Sequence, residues 1–202
     1  MYVCCQIRFM TGFTIRPARI EDAVFLGKCV CEGIGFRIFE EETDQNREIA
    51  ANIAPLAARE RTLYSYRNAL VAEVEGEVAG AFISYPGEYY HEWRKETFRD
   101  YPYFKDLDMD VMPDEAGPGE YYIDTVAVLP QFRRRGIGSG LMKERIAQVQ
   151  REHPDLRITL LVDPDNLDGQ RIYSRLGFHV IDHNVIAFNH LYWKMEMRCL
   201  RD

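Results

Sequence analysis

Apolar residues recur along the first third of the chain with two different spacings, which predict its secondary structure. An apolar run over 13–15 predicts a short strand that ends at Pro17. From 20 to 31, apolar residues lie three or four positions apart, which is the spacing of a helix. A second helix is predicted over 43–60, with a kink or a new start at Pro55.

The rest of the chain continues this alternation of strands and helices. Two apolar stretches around Glu75-Gly76 predict a β-hairpin, in which Gly80 marks a bulge. Further along, the pattern predicts a strand at 121–130, a helix at 139–153, a strand at 157–163, a helix at 166–175 and a strand-like stretch at 191–197. Such alternation predicts an α/β fold in which helices cover a sheet.

Residues 86–120 interrupt the pattern and are predicted to be an insertion. They combine seven aromatic residues with ten acidic and four basic ones, so most of the excess negative charge of the chain is local. Because loops give specificity to a fixed scaffold, the insertion is a candidate for recognising a cationic amine through carboxylates and aromatic rings. The alternatives are a solvated acidic face, and aromatic residues that pack a local core or a homodimer contact. The seven aromatic residues are Tyr89, Tyr90, Trp93, Phe98, Tyr101, Tyr103 and Phe104.

Length and composition limit the class of protein. With 202 residues, the chain suits one domain over 13–202, preceded by a lead at 1–12. The formal charge of −7 argues against a broadly electrostatic nucleic-acid binder, and we expect no nucleic-acid partner. Apolar stretches shorter than the ~20 residues of a spanning helix argue against a membrane role. Five cysteines without a paired pattern favour the reducing cytoplasm. Five histidines without ligand spacing predict no metal site.

The most informative motif is an arginine- and glycine-rich loop between a predicted strand and a predicted helix. It runs Arg133-Arg134-Arg135-Gly136-Ile137-Gly138-Ser139-Gly140. The start of a helix presents unpaired backbone N–H groups, and glycine lets a phosphate come close to them. Patterns for nucleoside triphosphates and for dinucleotides both fail, because Lys143 stands alone and Leu141 replaces the third glycine. The alternative is a solvated arginine turn whose glycines serve only packing.

A second motif follows one strand later, as Asn166-Leu-Asp-Gly-Gln-Arg-Ile-Tyr173-Ser-Arg-Leu-Gly177-Phe178. Asn166 can cap the predicted helix and Gly177 can end it. With R-x-x-G-x-G before it, this stretch resembles the GNAT superfamily of acetyl-CoA-dependent N-acetyltransferases, whose pattern is N-x-x-A-x-x-[IL]-Y-x-x-x-G-F. Gly169 stands where the family usually has alanine. The resemblance implies a single-domain α/β fold with a mixed, mostly antiparallel central sheet and helices on both faces.

The resemblance also implies an activity: transfer of an acetyl group from acetyl-CoA to a primary amine in a ternary complex. Val126, Ala127 and Val128 would pair with the pantetheine arm, beside Asn166. The pyrophosphate would lie on the loop residues Arg133, Arg134, Arg135, Gly136, Ile137, Gly138 and Ser139. Tyr173 would be the general acid, because a phenol stays protonated at neutral pH and can donate to a leaving thiolate.

A base must also deprotonate the attacking ammonium. Alternation along the predicted strand places Asp124 on one face with Tyr122, Val126 and Val128, so Asp124 is the candidate base. The family often has Glu on this strand, at the position that Tyr122 occupies here. Asp124 can equally hold the substrate ammonium or cap a loop.

The acceptor is expected to be a small-molecule or peptidyl amine. Two other classes of function stay open: a GNAT-like sensor that binds coenzyme A or acyl-CoA without turnover, and a structural or dimer-forming protein whose arginine turn binds nothing.

Overall fold

The computed structural model describes residues 8–10, 12–99 and 108–198. Its strands are β1 (Arg8–Met10), β2 (Phe13–Pro17), β3 (Ala69–Val74), β4 (Glu77–Pro86), β5 (Glu120–Val128), β6 (Arg157–Val162), β7 (His179–Ala187) and β8 (His190–Arg198). Its α-helices are α1 (Ala23–Cys31), α2 (Asp44–Ala57), α3 (Tyr90–Phe98), α4 (Ile137–Glu152) and α5 (Leu167–Arg175). None of the helices in the described ranges is both long and apolar enough to cross a membrane.

The strands form a mixed sheet in the order β1-β2-β3-β4-β5-β6-β8-β7. β5 and β6 are parallel, with Tyr122 opposite Thr159, and α4 is the crossover helix that such a pair requires. The pairs β1/β2, β2/β3, β3/β4, β6/β8 and β7/β8 are antiparallel. The predicted single-domain α/β fold with a mixed, mostly antiparallel sheet is confirmed.

The chain divides into two compact units within this domain. The first comprises Met1–Ile83 with Thr125–Met142, and the second comprises Ser84–Asp124 with Lys143–Asp202. In the first unit, α1 packs closely on α2, because a Cβ on Gly27 would lie only 2.6 Å from the carbonyl oxygen of Ala50. Thr43 caps α2, and this helix continues two residues past Pro55, which lies in its last turn.

The hairpin prediction is confirmed in detail. Glu75 and Gly76 form the turn between β3 and β4 with φ values of +52° and +85°. The register then shifts, so that Gly80 pairs with Ala72 and Val78 pairs with Glu73, which leaves one extra residue beside Gly80.

Two stretches differ from the sequence expectation. Residues 8–10, assigned to the lead, form β1, in which Arg8 pairs with Ile15 of β2. Residues 86–120 include a helix, α3, and β5 already begins at Glu120. Tyr101, Tyr103 and Phe104 lie outside the described residues, as do residues 1–7 of the lead.

Candidate active site

The glycine-rich loop leads directly into the first turn of α4. A short 3-10 turn at Pro130–Phe132 follows β5, and positive φ values at Arg134 (+61°) and Gly136 (+80°) then turn the chain. The amide of Gly140 donates to the carbonyl oxygen of Gly136 at 2.8 Å, which begins the helical hydrogen bonds. The amides at 137–139 precede that bond and have no acceptor inside the helix. This helix start is therefore suited to bind an anion.

The space around the glycines is open. A Cβ on Gly136 would meet nothing within 4 Å, and a Cβ on Gly138 would lie 3.7 Å from methyl groups of Val126 and Val128. The side chains of Val126 and Val128 are half-buried, whereas Ala127 is buried. The first turn of α4 is therefore lined by Val126 and Val128, two of the three strand residues that are predicted to pair with pantetheine.

The three arginines of the loop have different surroundings. Arg134 and Arg135 are exposed, and the guanidinium of Arg135 lies 5.3 Å from the centre of the Phe132 ring. Arg133 instead contacts protein groups: its Nη2 lies 3.0 Å from Glu32, its Nη1 pairs with Glu40, and its Nε donates to the carbonyl oxygen of Val128. Arg133 thus holds the end of β5 to the segment after α1, a contact that sequence spacing did not predict.

The surroundings of Glu32 raise the pKa of its carboxyl group. Burial raises the pKa of the Glu32 carboxyl, and the neighbouring Glu40 adds to the rise, while Arg133 opposes it. Arg133 thus forms ion pairs with two carboxylates, those of Glu32 and Glu40.

The second motif forms α5 as predicted. The Oδ1 atom of Asn166 accepts a hydrogen bond from the amide of Gly169 at 2.9 Å, so Asn166 is the N-cap. Gly177 has a φ of +98°, and the amide of Phe178 returns to the carbonyl oxygen of Tyr173 at 3.0 Å, which ends the helix.

Tyr173 is half-buried on α5, and its ring lies 6.2 Å from that of Phe178. Burial raises the pKa of the Tyr173 hydroxyl above its usual value near 10, so the group keeps its proton at neutral pH. Its predicted role as general acid stays a prediction.

Asp124 lies beside four aromatic residues of the second unit, whose rings contact one another. We call these four residues the tyrosine cluster: Tyr85, Tyr90, Trp93 and Tyr122. The hydroxyl of Tyr85 donates to Oδ2 of Asp124 at 2.6 Å. The rings of Tyr85 and Tyr122 lie 5.8 Å apart, and those of Tyr90 and Tyr122 lie 6.1 Å apart. The carboxylate of Asp124 is therefore hydrogen-bonded to one member of the tyrosine cluster.

A second carboxylate, Glu115, joins the tyrosine cluster, and sequence reasoning did not single it out. The hydroxyl of Tyr122 donates to Oε2 of Glu115 at 2.5 Å. Burial, and then the negative charge of Asp124, raise the pKa of Glu115 to about 7, although hydrogen bonds from Tyr122 and Tyr90 oppose the rise. Glu115 was one of ten acidic residues in a stretch without a repeating pattern, so no sequence signal distinguished it.

Across the described ranges, no group of three or more His, Cys, Asp or Glu side chains is arranged to hold a metal ion. The polar groups of the two candidate regions are instead backbone amides, carboxylates and phenols. These groups suit an anion at one place and an amine at another.

The fold is α/β with a mixed sheet, and comparison with known proteins specifies the family. Residues 36–178 match the acetyltransferase (GNAT) family, and the chain belongs to this family. This membership indicates acyltransferase activity.

Individual relatives agree with the family assignment. A crystal structure described as an acetyltransferase is 30% identical, with a TM-score of 0.69, over 92% of this chain and 99% of that one. An N-acetyltransferase from Staphylococcus aureus Mu50 is 26% identical, with a TM-score of 0.72, over 91% of this chain and 99% of that one. A mycothiol acetyltransferase from Corynebacterium diphtheriae is 37% identical over 71 residues, which are 35% of this chain. The chain spans only 22% of the length of that protein.

The glycine at the family's alanine position generates a stability prediction. A Cβ on Gly169 would lie 2.7–2.9 Å from the Asn166 side-chain amide, so alanine must displace the cap. Helix propensity favours alanine by about 1 kcal/mol, and loss of an Asn cap costs about 1 kcal/mol. We expect Gly169→Ala to leave the free energy of unfolding nearly unchanged in the wild type but to raise it by about 1 kcal/mol in an Asn166→Ala background.

Urea unfolding of the four proteins of this double-mutant cycle measures the coupling. Equal gains from Gly169→Ala in both backgrounds would show that the cap and the glycine are independent.

Proposed function

We propose that the chain transfers an acetyl group from acetyl-CoA to a primary amine by direct attack in a ternary complex. The observation that carries this proposal is the start of α4, where Gly136, with open space around it, precedes amides that have no acceptor within the helix. Membership of the GNAT family supports the same cosubstrate. The pyrophosphate of acetyl-CoA is a dianionic group that such amides bind well.

The proposed binding residues follow the motif. Val126, Ala127 and Val128 offer the backbone of β5 to the pantetheine arm, with Asn166 beside it, and the amides from Gly136 to Ser139 receive the pyrophosphate. Arg134 and Arg135 are exposed and add charge-assisted donors. Because Arg133 already pairs with Glu32 and Glu40, we propose that it mainly shapes the loop.

Tyr173 is the proposed general acid for the departing thiolate. Support comes from its matched motif position and from burial, which keeps the phenol protonated. The proton is given as the carbon–sulfur bond breaks, so the leaving group departs as a thiol.

The proposed acceptor is a small-molecule or peptidyl amine that carries a positive charge. Glu115 and Asp124 supply negative charge, and the faces of the tyrosine cluster supply cation–π contacts. We also propose a cytoplasmic location, which the free, buried thiols of Cys29 and Cys31 support.

Substitution in the first turn of α4 tests the binding site. Gly138 has an ordinary φ, so Gly138→Leu adds bulk between Val126, Val128 and the amides without backbone strain. We expect the affinity for coenzyme A to fall tenfold or more, about 1.4 kcal/mol, in calorimetry. Lys143→Ala, which removes an exposed charge from the same helix, is the matched control and is expected to bind like the wild type. Unchanged affinity in Gly138→Leu would contradict the site.

Removal of one hydroxyl tests the chemistry. With acetyl-CoA and a panel of primary amines, we expect amine-dependent thiol release by the wild type. We expect Tyr173→Phe to lower kcat by about 10²-fold or more while its affinity for coenzyme A stays unchanged, because the thiolate loses its proton donor. Full activity of Tyr173→Phe would remove the assignment. Coenzyme A binding without thiol release for any amine would favour a sensor.

A further inference from the structure

We propose that Glu115 accepts the proton of the acceptor ammonium, and that the buried Arg94 is the positioning residue that presents this carboxylate. The inference rests on the proposed acetyl transfer. It assigns the base to the segment before β5 rather than to Asp124, the residue that strand alternation favoured.

Arg94 holds the segment that precedes Glu115. This α3 residue is completely buried, and its guanidinium donates to the carbonyl oxygens of Met109 (2.7 Å), Met112 (2.9 Å) and Pro113 (2.8 Å). The same guanidinium lies 3.0 Å from the carboxylate of Asp114. Burying a cation is costly unless it is paired and hydrogen-bonded, and here the contacts fix Met109 and the three residues directly before Glu115.

Further contacts fix the segment at Glu115 and beyond it. The Nζ atom of Lys194 donates to the carbonyl oxygen of Glu115 at 3.0 Å and to the carboxylate of Glu120 at 2.8 Å. The chain after Glu115 passes so close to Gly87 that a Cβ there would lie 2.4 Å from the carbonyl oxygen of Gly117. Although Glu115 lies in an irregular segment, its backbone is therefore held on both sides.

The carboxylate itself has surroundings that suit reversible proton transfer. Tyr122 donates to one oxygen at 2.5 Å, and the segment leaves Glu115 half-buried rather than sealed. With a pKa of about 7, Glu115 is substantially ionised at neutral pH and can return a proton to water after accepting one. Asp124 keeps a separate partner, Tyr85, and its negative charge contributes to the high proton affinity of Glu115. Two carboxylates in different surroundings thus take different roles.

In the proposed proton transfer, one ammonium N–H bond breaks and its proton passes to a carboxylate oxygen of Glu115. The freed lone pair of the nitrogen forms a bond to the thioester carbonyl carbon. As the carbon–sulfur bond breaks, the sulfur takes the proton of Tyr173, and the second proton of the nitrogen leaves to solvent. Solvent then restores the proton of Tyr173, and Glu115 releases its own.

Several charged or titratable groups face Glu115 in the described structure. They are Tyr85 of β4, Tyr90 and Arg94 of α3, Tyr122 and Asp124 of β5, and Tyr192 and Lys194 of β8, with His91 joined to the neighbouring Asp114. Burial raises the pKa values of all four tyrosines above their usual range, so none of these phenols ionises below pH 8.5.

The pH dependence of kcat/KM for a panel amine, at saturating acetyl-CoA and between pH 5 and 8.5, tests the assignment. We expect the wild-type rate to fall as the pH decreases through about 7, because Glu115 becomes protonated. Glu115→Gln should lose this acid limb and 10²-fold or more of the rate, with unchanged coenzyme A affinity. His91→Gln is the matched control and should keep both the rate and the limb.

Three further variants separate the roles of Asp124 and Arg94. Asp124→Asn should move the acid limb to lower pH, because it removes the like charge that raises the pKa of Glu115. If Asp124 were the base, Asp124→Asn would instead abolish the limb. Arg94→Met should move the limb to higher pH, because it removes a positive charge, and Arg94→Lys should move it back. A purely structural role of Arg94 would lower the rate without moving the limb.

Carbon-13 NMR of the wild type, labelled at the glutamate carboxyl carbon, provides a readout that needs no acceptor. A resonance that is missing from Glu115→Gln should titrate near pH 7, and a midpoint near 4.5 would overturn the inference. If the wild type turns over and Glu115→Gln keeps its rate and acid limb, only the Glu115 assignment falls. If the wild type releases no thiol with any amine, the proposed acetyl transfer falls and the assignment falls with it.

Discussion

A helix cannot satisfy the N–H groups of its own first turn, and this constraint is the basis for the function proposed here. In most helices a side chain or water accepts from these groups. At the start of α4 the preceding residues are exposed arginines and Gly136, which adopts a φ of +80° in open space. The resulting concentration of donors and of helix-dipole charge suits a pyrophosphate, and the cosubstrate assignment depends on it.

The second unit places negative charge where burial makes it costly. Glu115 and Asp124 each accept a hydrogen bond from a buried tyrosine, yet their mutual repulsion remains. A cationic substrate relieves that repulsion, and a proton on Glu115 relieves it in part. The same electrostatic cost therefore favours binding of an ammonium and transfer of its proton. The buried Arg94 fixes the backbone that leads to Glu115, because it donates to three carbonyl oxygens of the preceding residues.

Local sequence patterns predicted those parts of the site that depend on neighbouring residues. The Asn166 cap, the Gly177 helix end and the glycine turn before α4 are all set within a few positions, and the structure has them as expected. Helix α3 was missed because its aromatic and charged residues lack a regular apolar spacing. β7 was missed because its exposed residues give no clear alternation.

Contacts between distant segments could not be predicted in this way. Glu115 becomes distinctive only through Tyr122, Asp124 and the hold that Arg94 has on the preceding residues. Arg133 matched a motif, but its contacts with Glu32 and Glu40 depend on residues about a hundred positions away. Such pairings are decided by the fold, because neither local propensity nor periodicity carries information about them.

A crystal structure of the wild-type protein with coenzyme A would test whether the start of α4 binds the cosubstrate. We expect pyrophosphate oxygens at about 2.7–3.2 Å from the backbone nitrogens of residues 136–139. A first turn of α4 that stays empty while coenzyme A binds elsewhere, or a protein that takes up no coenzyme A at all, would contradict it.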